Sequence, residues 1–213
     1  MSGELKHECY IYATVPDIIE LFDIDGDGHL EILGAGKSYS NRGTFYVHDI
    51  DGNPKQNINV GPWLCIFKSH IIREYDGKLC IACGMNYGVN FKKFTVDKGN
   101  YTLDFSKKLG GTVSAIHMDI DNASFYVGSS KGTVMAFDKD GKDLWYADVK
   151  NPVQDIFPFK DSIIVLSRNG DLRKLSKTNG QACGFKALDS NTYGCLSNDN
   201  RIIIACGKYL YMM

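Results

Sequence analysis

No stretch of the 213-residue chain carries a sustained 3.6-residue apolar period, so helices are not expected to build the fold. No apolar run approaches the roughly 18 residues that a membrane span requires. The formal net charge of −1 leaves no basic excess for nucleic acid or for an anionic membrane, and neither is expected as a partner. Enzyme signatures are missing too. There is no HExxH, no G-x-S-x-G elbow and no G-x-x-x-x-G-K-[ST] loop. The glycines at 34–36 (GAG) and 84–88 (GMNYG) precede no helix, so they read as turns and not as phosphate loops. The first ten residues, MSGELKHECY, hold no apolar core of the kind a secretory leader needs, so none is expected.

Cysteine is present but unpaired in number. Seven is odd, and Cys65, Cys80, Cys83 and Cys206 sit inside apolar runs, the setting of small buried hydrophobes in a reducing, cytoplasmic compartment. Cys80 and Cys83 form a CxxC, but residues three apart on a strand point to opposite faces, and no second CxxC follows.

What the chain has instead is a series of four- to seven-residue runs of Ile, Val, Tyr, Phe and Leu between Gly, Asp and Asn turns, the pattern of an all-β protein. An internal repeat selects the architecture. The best-formed unit, Thr112 to Val149, holds four strand-like segments: Val113–Met118, Ser124–Val127, Thr133–Asp138 and Asp143–Val149. Its KGTVMAFDKDGK aligns without a gap on RGTFYVHDIDGN of the first unit, and RNGDLRKLSKTNG repeats it weakly in the fourth. The second unit is least regular, with an apparent insertion of about Ser69 to Asp76 before its second strand. The last unit has three strands, Tyr193–Leu196, Arg201–Cys206 and Lys208–Met212. The run ECYIYATV, Glu8–Val15, has strand composition and no unit of its own. The expected fold is therefore a single domain over 1–213, a five-bladed β-propeller of four-stranded antiparallel blades. The N-terminal strand would complete the last blade, a closure that removes unpaired edges.

One stretch of the first unit carries chemistry, LFDIDGDGHLEILGAG from Leu21 to Gly36. Asp23, Asp25 and Asp27 alternate with Gly26 and Gly28, and Glu31 follows at the ninth position. Carboxylates this close repel one another unless a cation lies among them, and calcium takes six to eight oxygens. The start matches an EF-hand, but position 12, which needs a bidentate glutamate, is Gly34. The loop resembles instead the calcium loop of FG-GAP and integrin-type propeller blades. That resemblance implies calcium held by Asp23, Asp25, Asp27, the main-chain carbonyl of His29, and Glu31. The alternative is an Asp/Gly-rich β-turn without metal. A second resemblance lies in Lys131–Trp145, KGTVMAFDKDGKDLW, which is similar to the blade repeat of quinoprotein-like propellers. It implies that Trp145 docks on the neighbouring blade. Those proteins build eight-bladed rings around pyrroloquinoline quinone, so the cofactor is not carried over.

His117, in SAIHM, reads as a structural histidine rather than a base. Asp119 and Asp121 mirror Asp23 and Asp25, but the rest of their loop is lost. Asp17, Asp155 and Asp161 read as turn or blade-entry residues, since a glycan-active enzyme would carry its two acids on long loops that this chain lacks. The expected function is non-catalytic binding of a protein or peptide on one face. Carbohydrate binding, as in lectin-like propellers, is the alternative. The irregular second unit supplies the candidate contact surface, His70, Arg73 and Tyr75 with Glu74 beside them, because Arg and Tyr are enriched at hot spots. Trp63 is a further candidate.

Overall fold

The structure, a computed structural model, describes residues 8, 18–35, 43–61, 67–86, 90–188, 192–196, 201–206 and 208–212. All regular elements among them are strands, and no helix is long and apolar enough to cross a membrane. The strands fall into five antiparallel sheets in chain order, the blades of a β-propeller. Blade 1 is β1 (Ile18–Phe22), β2 (Glu31–Ala35), β3 (Thr44–Asp49) and β4 (Pro54–Asn59). Blade 2 is β5 (Phe67–Tyr75), β6 (Lys78–Met85), β7 (Phe91–Asp97) and β8 (Asn100–Lys107). Blade 3 is β9 (Val113–Asp119), β10 (Ser124–Ser129), β11 (Thr133–Asp138) and β12 (Asp143–Asp148). Blade 4 is β13 (Val153–Phe159), β14 (Ser162–Ser167), β15 (Asp171–Ser176) and β16 (Ala182–Ala187). Blade 5 shows β17 (Thr192–Leu196), β18 (Ile202–Cys206) and β19 (Tyr209–Met212).

Within a blade each strand pairs only with its sequence neighbours, as short turns between antiparallel strands dictate. The first strands of successive blades lie side by side, β5 with β9, β9 with β13 and β13 with β17, which sets them nearest the axis. Both faces of the middle strands are buried, so β10 and β14 read as continuous apolar runs rather than alternating ones. Among the described residues, four apolar cores lie between successive sheets. One joins blades 1 and 2 through Phe45, Ile58, Ile81 and Val96. A second joins blades 2 and 3 through Phe91, Phe125 and Phe137. The third and fourth join blades 3 and 4 around Trp145 and Val165, and blades 4 and 5 around Phe157, Ile202 and Ile204.

The expected strand that closes blade 5, residues 9–15, lies outside the described residues, as do Trp63, Cys65 and Asp17. The expected insertion at Ser69 to Asp76 is corrected by the structure. Those residues form the innermost strand β5 and its turn, paired with β6 from Ser69↔Gly84 to Tyr75↔Lys78. Asp76 (φ 53) and Gly77 (φ 69) both take positive φ, the two-residue hairpin turn that matches strand twist. No loop projects there.

Candidate metal centre and partner face

The β1–β2 connection turns back within nine residues because Gly26 (φ 78) and Gly28 (φ 88) take the left-handed backbone that other residues resist. Asp23 organises the turn. Its Oδ1 accepts from the amides of Gly26 (2.7 Å) and Asp27 (3.1 Å), and its Oδ2 from that of Gly28 (2.9 Å). Asp27 Oδ1 accepts from the His29 amide at 2.8 Å. Glu31 opens β2 and is buried, with Oε2 accepting from the Ile24 amide at 2.8 Å. Carboxylate oxygens of Asp23, Asp25 and Asp27 come within 4.8 Å of one another.

A cation of the chain's own already stands among these groups. Lys55 on β4 reaches Glu31 Oε1 at 2.7 Å, Asp25 Oδ2 at 2.9 Å and Asp27 Oδ2 at 3.7 Å. Hydrogen bonds to Glu31 and Asp25 hold the Lys55 ammonium well above the ordinary lysine range, and the same bond holds the Asp25 carboxyl below its usual one. The spacing of the acids did not reveal Lys55. The blade alignment did contain a signal, since Lys55 stands where the third unit has Leu144.

The donor set suits calcium, being hard oxygens of four carboxylates and a carbonyl. Each carboxylate has lone pairs beyond those its present partners use. Asp23, Asp25, Asp27, Glu31 and the His29 carbonyl would hold the ion, and Lys55 would leave Asp25 and Glu31 to admit it. The loop is anchored from outside by the β7–β8 turn of blade 2. The Gly99 amide donates to the Ile24 carbonyl at 2.9 Å, and Gln56 Nε2 donates to the Gly99 carbonyl at 2.8 Å.

The corresponding loop in blade 3 has a different arrangement. Asp119 accepts from the Asn122 amide and side chain and pairs with Lys177 of blade 4 at 2.7 Å. Burial raises the Asp119 carboxyl, but the bonds from Lys177 and Asn122 outweigh it and hold it below the usual range. His117 beside it is pushed down to about 4 by burial, which keeps the imidazole neutral. Burial raises the Asp155 carboxyl on β13. Cys83 joins the core shared with blade 1 and Cys80 the core shared with blade 3, the opposite faces expected of a CxxC on a strand. Burial pushes the Cys80 thiol up to about 11.

The residues chosen as a partner face share β5 but differ in setting. His70 Nε2 lies 3.6 Å from Glu20 Oε1 of blade 1. Arg73 is exposed and donates from Nη1 to the Ile72 carbonyl. Tyr75 is half-buried against the core between blades 2 and 3. One residue beyond Tyr75 begins a broad cleft of about 940 Å³ lined by Asp76, Lys78, Lys93, Asp97, Asp104 and Lys139, among others. Lys78 pairs with Asp97 at 2.9 Å and Lys93 with Asp104 at 2.6 Å.

No protein-family model matches the sequence, and no curated protein matches it. Solved structures do match. The computationally designed protein Ika8 superposes with a TM-score of 0.68 at 12% identity, over 91% of this chain and 56% of its own. Sqt1 from Saccharomyces cerevisiae gives 0.70 at 12%, over 92% and 58%, and BamB from Moraxella catarrhalis 0.64 at 17%, over 90% and 55%. Sqt1 and BamB are β-propellers. The chain spans a little over half the length of each of these structures, and at such identities the likeness is one of fold.

Proposed function

We propose that the protein is a non-catalytic propeller that binds a protein or peptide on one face, with a structural calcium ion in the blade 1 loop. The observation that supports binding is the cleft next to Tyr75. Small-molecule sites are mostly apolar with a few polar groups. This cleft alternates lysine and aspartate around an open floor, with Arg73 exposed on the strand that leads into it. Such a surface suits the mixed charges and backbone amides of a polypeptide. The calcium reading rests on the FG-GAP-like spacing of Asp23, Asp25, Asp27 and Glu31, and on the demand for positive charge that Lys55 now meets. The docking of Trp145 on blade 4 accords with the quinoprotein-like repeat. A reducing, cytoplasmic setting belongs to the same proposal, motivated by the burial of Cys80 and Cys83 in apolar cores.

The test is a pull-down from the native host with the wild-type chain and with the double variant Arg73→Ala, Tyr75→Ala, alongside a glycan array. Retained fold with loss of a specific protein partner is the expected result. Unchanged partner affinity in the variant, or selective capture of a glycan, would overturn the reading.

A further inference from the structure

The four complete blades share one register feature. Each shifts register between its third and fourth strands, after Val47, Lys93, Ala136 and Lys174. The fourth-strand residues opposite these are Gln56, Phe105, Trp145 and Gly184. The first three serve one purpose: each seats on a glycine in the third-to-fourth-strand turn of the next blade. Gln56 bonds the Gly99 carbonyl. A Cβ on Gly141 would stand 2.5 Å from Phe105 Cγ, and one on Gly180 2.5 Å from Trp145 Cε3. The side chain at this position thus plugs the seam between blades.

Blade 4 has no plug, because Gly184 has no side chain. Its row, Ile164, Lys174 and Gly184, is the counterpart of Tyr126, Ala136 and Trp145 in blade 3. In blade 3 that row is filled, with Tyr126 and Trp145 stacked at 5.8 Å. In blade 4 the row borders a cavity of about 190 Å³ facing blade 5, with Ile164, Leu172 and Ile202 in its wall. An apolar cavity of about 150 Å³ accommodates benzene, so this one has room for an aromatic side chain. It opens beside β16, all of whose residues are exposed.

The rim is cationic. Lys174 and Lys186 line the cavity on the face of blade 4 that carries Leu172 and Gly184, and among the described residues no carboxylate does. Lys186 lies over the Tyr211 ring at 5.1 Å and Lys174 over Phe159 at 5.8 Å. These two cations rest on rings, whereas Lys177 of the same blade holds Asp119.

We propose that the seam between blades 4 and 5 binds an acidic peptide. An aromatic side chain of the partner takes the place that Trp145 takes in the preceding seam. Flanking Asp or Glu carboxylates pair with Lys174 and Lys186. The site lies away from the Tyr75 cleft and stands whether or not that cleft binds a partner.

The experiment titrates the full chain with a blocked pentapeptide, Asp-Asp-Trp-Asp-Asp, followed by calorimetry and by chemical-shift changes. Controls replace the central tryptophan with alanine or the aspartates with lysine. The decisive variant is Gly184→Trp, which supplies the missing plug from within. A Cβ there meets only the Lys174 side chain, Cβ at 3.4 Å and Cδ at 3.9 Å, and Gly184 does not have a left-handed φ. A second variant, Lys174→Glu with Lys186→Glu, leaves the core alone. Expected are binding of the acidic tryptophan peptide at least tenfold tighter than either control, and a tenfold or greater loss in both variants. Arg73→Ala with Tyr75→Ala leaves this affinity unchanged, which separates the two sites. Equal binding of the lysine-flanked peptide, full binding by Gly184→Trp, or no binding at millimolar peptide would overturn the proposal. So would self-association in sedimentation that Gly184→Trp abolishes, since that would put a second copy of the chain in the seam.

Discussion

The indole of Trp145 in blade 3 rests on Gly180 in blade 4, and its Nε1 donates to the Lys177 carbonyl at 2.7 Å. Gly180 takes φ 70, so any other residue there is strained before its side chain meets the ring. The contact joins two blades through a ring, a hydrogen bond and a backbone conformation that depend on one another.

Gly180→Ala is therefore expected to destabilise the chain by about 3 kcal/mol, from left-handed strain and from the displaced indole. Trp145→Ala is expected to cost about 3–5 kcal/mol, the range for deleting a large buried aromatic. Urea denaturation of each variant measures this. A loss under about 1 kcal/mol in both would show that the seam does not depend on the pair.

Much of this was legible in the repeat. The strands of blade 3 fall within about a residue or two of those read from Thr112 to Val149, because both Gly turns and the apolar runs between them are sharp there. The docking of Trp145 on blade 4 matches what the resemblance of Lys131–Trp145 to quinoprotein-like blades implies. The strand β5 was misread as a projecting insertion. His70, Arg73 and Glu74 look like loop residues, yet an inner strand near the axis tolerates polar side chains. The Asp76-Gly77 pair was the available signal, since it joins Tyr75 directly to Lys78. Lys55 could not be read from the acidic loop at all. It lies 24 residues from Glu31, and only the pairing of β4 with β3 and of β3 with β2 brings it there.

His117 gives the chain an acid sensitivity. Its folded value is pushed down to about 4 by burial, with Asp119 opposing and Lys177 and Arg73 reinforcing the shift. The unfolded histidine titrates near 6.5, so between those values the unfolded state binds more protons, and stability falls as pH falls. The loss is expected to be of the order of 3 kcal/mol across that window. Denaturation at pH 7 and pH 4.5, compared between wild type and His117→Gln, isolates this contribution. An identical pH slope in the two proteins would contradict it.

Blade 5 shows three strands among the described residues, which leaves β19 as the outer one. The composition of Glu8–Val15 is the ground for expecting the N-terminal run to supply the fourth strand. Deleting residues 1–15 is expected to expose that edge and cause aggregation. A soluble deletion variant that unfolds cooperatively in urea would refute the closure.

Replacing Lys55 removes the ammonium that bridges Glu31, Asp25 and Asp27. Lys55→Met is expected to lower the melting midpoint in chelator, where the carboxylates are left facing one another. The raised lysine contributes stability below its unfolded value near 10.4, which is lost as pH rises through the folded one. The lowered Asp25 contributes above about 3.9, and its share is lost as pH falls through the folded value. The deficit of Lys55→Met should therefore be full between about pH 5 and 9. An unchanged midpoint at pH 7 in chelator would contradict it.

The most direct measurement is calcium binding to the Asp23–Glu31 loop, by calorimetry and by melting curves in calcium and in chelator. Expected is one ion per chain, lost in Asp25→Asn. At calcium a hundredfold above the dissociation constant, stabilisation is about 2.7 kcal/mol, a rise of about 5–10 °C for a chain of this size. Lys55→Met should bind more tightly than wild type, since no ammonium need be displaced. Identical midpoints in calcium and chelator, with no heat of binding in either protein, would show that Lys55 alone serves the loop and that calcium has no place in it.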